Sequence, residues 1–370
     1  MRTIALTLAV LAGLGAAGGA AVVGMGLYNV SAQAGHLPGV SWVLHTTFRN
    51  SVALRAPDKS AVPPLEDPDL IALGAHHYAS ACATCHARPD APRSATMRAM
   101  VPAPPPITEA ITDWQPQELH WIIENGIKMS GMPAWPVAGR GDEIWSVVAY
   151  LEAVKSGTAP GFPAGEASQP DRSAQLPHPP AAGYCASCHL EAGDPVPRLD
   201  IQNAPYLEEQ MRAYLSGRRP SGIMAQAMSV IPAREIPELA RHLSRRAVDP
   251  ALRGPAPGDP LADSELAARG ATLAASGTRD VPACDACHGA DAARPQSGAA
   301  RGGDRGPVLA GQGRQYLAAQ LRLWASGALD HDPLMSAAAR DLAPAQIEAL
   351  AAHYAARPAP QTTPEPAETD

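Results

Sequence analysis

Hydrophobic positions along this chain follow two different rules. In residues 4–27 nearly every side chain is apolar or small, and no charged residue occurs between Arg2 and Arg49. A membrane span needs about 20 such residues, whereas a cleavable signal has an apolar core of about 7–15. Residues 1–35 are therefore read as a signal-anchor with Arg2 on the cytoplasmic side. The many Gly and Ala residues and the sequence Ala32-Gln33-Ala34 keep a cleaved signal peptide as the alternative. Either reading puts residues 36 onward on the periplasmic side. Beyond that run the apolar residues recur at helical spacing: Leu207, Met211 and Leu215 in one stretch, Ile347, Leu350 and Tyr354 in another. ITDWQPQELHWIIENGI reads as one capped amphipathic helix, and DEIWSVVAYLEAV as a second between Gly141 and Gly157. Strand signals are almost absent, so the expected fold is all-α.

The helical pattern is repeated. PYLEEQMRAYLSG aligns with QYLAAQLRLWASG, and Pro197, Leu199 and Gln202 match Pro307, Leu309 and Gln312, all at an offset of 110. Downstream, IPELARHL matches IEALAAHY at an offset of 111. Proline-rich stretches separate the repeats. The organisation is thus a membrane segment (1–35), a connecting segment (36–70), three small domains (71–157, 181–249 and 264–357), linkers at 158–180 and 250–263, and a disordered tail (358–370). LPHPPAAGY stands before the second domain where a helix would be expected, so that domain lacks its first helix and would lean on the third for cover. DAARPQSGAARGGDRG in the third reads as a polar loop insertion.

Composition narrows the chemistry. A net charge of −7 argues against nucleic acid as a partner and supplies no basic patch for anionic lipid. Aromatic residues make up only 4% of the chain, which leaves three small cores thin unless something flat and apolar fills them.

All six cysteines fall in one pattern: CATCH (Cys82, Cys85), CASCH (Cys185, Cys188) and CDACH (Cys284, Cys287). A CxxC pair alone could be a redox dithiol, half a zinc site or the two thioether points of a c-type haem, and the histidine that follows decides. His86, His189 and His288 are placed to reach an iron from below a porphyrin held by both thiols. A zinc ribbon would bring two pairs together, and a thioredoxin-like site would need a βαβ surround; neither suits three isolated pairs. Three covalently bound haems c are expected.

A sixth ligand decides between electron carrier and reactive iron. Met224 and Met335 each lie twelve residues before the matched Ile236 and Ile347, each expected in a loop ahead of the terminal helix. Met228 faces Ala339 in the same alignment and reads as core. In the first domain, Met132 between Gly131 and Pro133 is preferred, with Met129 as the alternative. His120, His242 and His353 could in principle replace a methionine, but His242 and His353 occupy matched helix positions beyond the loop and are read as solvated helix residues.

Residues 74–356 resemble class I cytochrome c domains. The first, carrying ELHWIIENGIKMSGMPAW and DEIWSVVAYL, is similar to membrane-associated monohaem cytochromes. The second and third, carrying GPVLAGQGRQYLAAQL and DPLMSAAARDLAPAQIEALAAHY, are similar to the tandem domains of cytochrome c4 and c553 relatives. The resemblance implies thioether bonds at the six cysteines, His86, His189 and His288 as proximal ligands, and Met132, Met224 and Met335 as distal ones. It also implies that the carbonyls of Pro197 and Pro307 steady two proximal imidazoles. The expected function is outer-sphere electron transfer between redox protein partners, the chain acting alone or as the cytochrome subunit of a larger dehydrogenase or oxidase. The rival is a haem enzyme, a peroxidase or small-molecule dehydrogenase, with one open iron.

Overall fold

The computed structural model describes the whole chain except residues 1, 32, 36, 129, 163–180, 190–193, 246–263, 290–305 and 360–370. The two proline-rich linkers, the insertion in the third segment, Ala32, Met129 and the tail fall wholly or largely outside the described residues.

Helix α1 (Arg2–Gly24) buries none of its side chains against the rest of the chain. By length and composition it is able to cross a membrane, a property it shares with signal sequences. Helix α2 (Val40–Arg55) docks on the first haem-motif segment. Its Val52 is fully buried, Phe48 meets Trp114 edge-on at 5.3 Å, and the Arg49 guanidinium lies 5.1 Å over the same indole.

Each segment is built around helices that flank its CxxCH. In the first, α3 (Pro68–His77) crosses α5 (Gly141–Ser156), with α4 (Pro116–Asn125) against α5. In the second, α6 (Ala182–His189) carries the motif itself, followed by α7 (Ala204–Leu215), α8 (Gly222–Ser229) and α9 (Ile236–Arg245). The third has α10 (Glu265–Ser276), α11 (Arg314–Ser326), α12 (Pro333–Ala339) and α13 (Pro344–Ala356). Among the described residues there are no strands. ITDWQPQELHWIIENGI (111–127) forms one capped amphipathic helix, α4, as expected, with Glu118 accepting from the Gln115 N–H at 2.9 Å. Pro116 starts α4 because its fixed φ suits the first helical turn and its ring excludes the interior.

Small residues set the closest helix crossings. A Cβ on Gly74 of α3 would lie 1.9 Å from the Ser146 carbonyl oxygen of α5, and one on Gly270 of α10 would lie 2.0 Å from the Ala349 oxygen of α13. Only glycine admits these backbone approaches.

The second and third segments meet across a two-fold seam that follows the sequence repeat. The Gln202 carboxamide donates to the Val308 carbonyl (2.8 Å) and accepts from the Val308 N–H (3.0 Å). The Gln312 carboxamide does the same with Arg198, donating at 2.9 Å and accepting at 2.9 Å. Residues 202 and 312, and 198 and 308, are the equivalent pairs at the repeat offset of 110, so the contact is isologous within one chain. The N-cap of helix α11 is Gly313, which has no side chain to cap it, and Asp194 of the second segment accepts from the N–H groups of Arg314 and Gln315 instead, each at 2.8 Å.

The second segment does lean on the third through this seam. It also leans on the first, an addition to the expectation from sequence: α6 packs on α3, and Asp194 N–H donates to the Asp69 carboxylate at 3.2 Å.

Candidate haem sites

In each motif the first cysteine packs against its segment's core: Cys82 on the cluster that includes Tyr78 and Tyr150, Cys185 on that of Leu207 and Leu239, and Cys284 on that of Leu317 and Tyr354. None of the six forms a disulfide. Burial pushes the Cys82 and Cys185 thiols up to about 12 and Cys284 up to about 11, so all three are neutral in their clefts. Conversion to a thioether removes that acid altogether.

The three histidines share one arrangement. Nδ1 of His86 lies 2.9 Å from the Pro105 carbonyl oxygen, that of His189 lies 2.7 Å from the Pro197 oxygen, and that of His288 lies 2.9 Å from the Pro307 oxygen. A carbonyl can only accept, so Nδ1 carries the proton and donates. The Nε2 lone pair is then left for a metal, with the ring orientation fixed from behind. Burial lowers the pKa of all three, which keeps the imidazoles neutral. Behind His288 the chain is pared to glycine, since a Cβ on Gly306 would lie 2.4 Å from Nδ1. This donor set, two apolar thiols beside a neutral, tautomer-fixed imidazole, fits a covalent haem. Among the described residues no three His, Cys, Asp or Glu side chains converge to hold an ion by themselves.

Pro105 was not singled out from the sequence. It sits in the run Pro104-Pro105-Pro106, nineteen residues after His86, and any of the three carbonyls had equal local claim. The signal available was the same nineteen-residue spacing from His288 to Pro307.

Leaving the motif, the chain turns through left-handed φ: Gly289 at +80° in the third segment, and Ala87 at +62° in the first. An alanine there is strained. The buried Tyr78 hydroxyl donates to its carbonyl at 2.6 Å and secures it.

The three methionines Met132, Met224 and Met335 are half-buried. Met132 lies in a loop that returns onto the end of α4: Ile127 N–H donates to the Met132 carbonyl (3.1 Å) and Trp135 N–H to that of Glu124 (3.0 Å). Gly126, with φ +63°, lets the loop close, because a Cβ would strike Pro133 and Ala134 at 2.5–2.6 Å. Met224 and Met335 lie in the short helices α8 and α12 rather than in loops as expected. The reason is capping: Ser221 Oγ accepts from Met224 N–H at 3.1 Å, and Asp332 accepts from Leu334 and Met335 N–H at 2.9 and 3.0 Å. Met224 shares a cluster with Cys185, and Met335 with Cys284. Met228 is buried core, as is Ala339.

His120 lies in the interior of the first segment. It is buried, its Nε2 lies 2.8 Å from the Gly141 carbonyl oxygen, and its ring stacks on Trp145 at 4.2 Å. The cover comes from α5, 21 or more residues away, which helix periodicity does not reveal. His242 and His353, expected as solvated helix residues, are instead half-buried on α9 and α13.

The family profile for cytochrome c oxidase, cbb3-type, subunit III, matches residues 69–151. The thiosulfate dehydrogenase electron acceptor of Thiomonas intermedia (strain K12) is 32% identical over 189 residues, 49% of this chain and 81% of that protein. Its namesake from Stutzerimonas stutzeri (strain A1501) is 34% identical over 184 residues, 48% of this chain and 80% of that one. Among solved structures, Acidithiobacillus ferrooxidans cytochrome c4 aligns with 26% identity and a TM-score of 0.39, covering 46% of this chain and 98% of that one. With CxxCH motifs backed by proline carbonyls and relatives of this identity matched over most of their length, the chain belongs to the c-type cytochromes, electron-transfer proteins that carry covalently bound haem c.

Proposed function

We propose that this cytochrome carries three haems c, is held on the periplasmic side of the inner membrane by α1, and accepts electrons from a thiosulfate dehydrogenase to pass them to a second redox protein. The donor class is suggested by the names of the relatives. The observation that carries the haem count is the threefold recurrence of the histidine–proline carbonyl bond, once per CxxCH. The haem domains are taken as residues 71–157, 181–249 and 264–357.

Bound haem c supplies a one-electron ferric–ferrous couple. The residues divide the work around it. Cys82 with Cys85, Cys185 with Cys188, and Cys284 with Cys287 fix its position covalently. His86, His189 and His288 would hold the iron through Nε2, and Met132, Met224 and Met335 would each supply a thioether ligand. A thioether favours the reduced iron and raises the potential. Were a histidine and a methionine both bound to each iron, ligation would be unchanged by the one-electron couple and reorganisation would stay small.

The test is a redox titration of the full-length protein with mass spectrometry of the intact chain. Three covalent haem additions and three one-electron steps are expected, and Met335→His should lower one potential of the three. Reduction by thiosulfate should occur only when a thiosulfate dehydrogenase is added. Fewer than three additions would overturn the haem count. Ready uptake of carbon monoxide by a ferrous centre, or a high-spin ferric fraction near one third, would favour the open-iron enzyme instead.

A further inference from the structure

The two equivalent methionine helices are capped differently. In the third segment the N-cap of α12 is a carboxylate, Asp332, from the helix's own strand of chain. The repeat offset of 111 places Ser221 at the matching position of α8. A serine hydroxyl caps one N–H there, that of Met224 at 3.1 Å, and brings no charge. The missing carboxylate comes from another segment.

Glu143, on the first turn of α5, reaches across to this site. Its Oε1 accepts from the Ser221 hydroxyl at 2.6 Å, and its Oε2 accepts from the N–H groups of Gly222 at 2.7 Å and Ile223 at 3.2 Å. Two groups of the first segment hold the carboxylate in turn: Trp135 Nε1–H donates at 3.2 Å and Arg140 Nη2 lies at 2.8 Å. Arg140 also donates to the Pro220 carbonyl, so it clamps the entry to α8 as well. The side chains of Arg140 and Glu143 are only 7% and 8% exposed. The Trp135 indole fills the space where Gly222 would carry a Cβ, which would lie 2.0 Å from Nε1. Trp135 is three residues beyond Met132, and Gly222 two residues before Met224, so the two methionine elements meet at this junction.

We propose that Glu143, together with Trp135 and Arg140, is a positioning group for Met224: the first haem segment completes the distal-ligand helix of the second. This rests on the reading of Met224 as a distal ligand. A charged acceptor bonded to two N–H groups and a hydroxyl at a buried helix start holds that turn against fraying. Among the described residues of the second segment, only the Ser221 hydroxyl caps that end of α8. Docking of the first segment thereby sets the ligation, and so the potential, of the second centre. Because the ion pair is buried, the effect is weakly screened by salt.

The experiment uses the full-length holoprotein with Glu143→Gln, the milder Trp135→Phe, which keeps a ring and removes the N–H donor, and Glu143→Gln combined with Ser221→Asp. Three readouts are followed: the methionine–ferric-haem charge-transfer band, carbon monoxide uptake by the reduced protein, and the three potentials. Glu143→Gln should weaken about one third of the band and raise carbon monoxide uptake at one centre about tenfold, the factor expected for loss of one charged hydrogen-bond set. Trp135→Phe should do the same to a smaller extent. Adding Ser221→Asp should restore the band, since it supplies in cis what Asp332 supplies to α12. The inference is overturned if Glu143→Gln retains three haems with band, uptake and potentials unchanged, if the first centre moves instead of the second, or if Ser221→Asp gives no recovery. Met224→His separates the two levels. If it shifts no potential, the ligand assignment has failed, whereas a shift there with an inert Glu143→Gln defeats the positioning role alone.

Discussion

The glutamine seam between the second and third segments allows a quantitative test. In Gln202→Ala the Val308 N–H and carbonyl lose their partners at 3.0 and 2.8 Å, in a place where both residues are only 4% exposed. A buried polar group left without a partner costs about 1–3 kcal/mol, so two cost about 2–6 kcal/mol. Water admitted to the new gap recovers part of this, which sets the expectation at about 2–4 kcal/mol. For a unit of this size that is a fall of about 4–16 °C in the thermal midpoint. Gln312→Ala should cost a similar amount, because it strips the equivalent bonds to Arg198 across the two-fold. The double variant should lose less than the sum, since the first substitution already loosens the seam that the second acts on. Gln202→Glu should be at least as harmful as the alanine, since it keeps the acceptor for the Val308 N–H, loses the donor and buries a charge. The assay is thermal unfolding of the holoprotein, followed by helical circular dichroism and by haem absorbance. A midpoint within about 1 °C of the parent for Gln202→Ala would refute the energetic reasoning. A large effect at Gln202 beside none at Gln312 would refute the two-fold equivalence.

Two further outcomes follow from packing and charge. Gly74→Ala and Gly270→Ala would press a methyl onto the carbonyl oxygens of Ser146 and Ala349, so each should destabilise its own segment by about 1–3 kcal/mol, measurable by calorimetry as a lowered transition for that segment alone. His77 is buried against Trp135, and burial pushes its pKa down to about 4 from an ordinary 6.5. The unfolded chain therefore binds a proton that the folded chain refuses between those values. Stability falls as pH drops from about 6.5 to about 4, by about 3 kcal/mol in total. His77→Phe should flatten that slope in denaturant titrations, and an unchanged slope would show that another group sets it.

What the sequence determined by itself is the chemistry that is local in the chain. Two thiols and an imidazole within five residues define a haem attachment wherever the segment sits, because their relation is fixed by covalent geometry and one turn of helix. The repeat extended that reach: matching residues at offsets of 110 and 111 paired Met224 with Met335 and Gln202 with Gln312 before any contact was known. Tertiary structure decided which groups meet across tens of residues. It chose Pro105 from three adjacent prolines, turned His120 inward onto Gly141, and gave Ser221 a carboxylate 78 residues away. Such contacts depend on how finished surfaces fit together. Hydrophobic periodicity records which face of a helix is buried, and carries no record of what it is buried against.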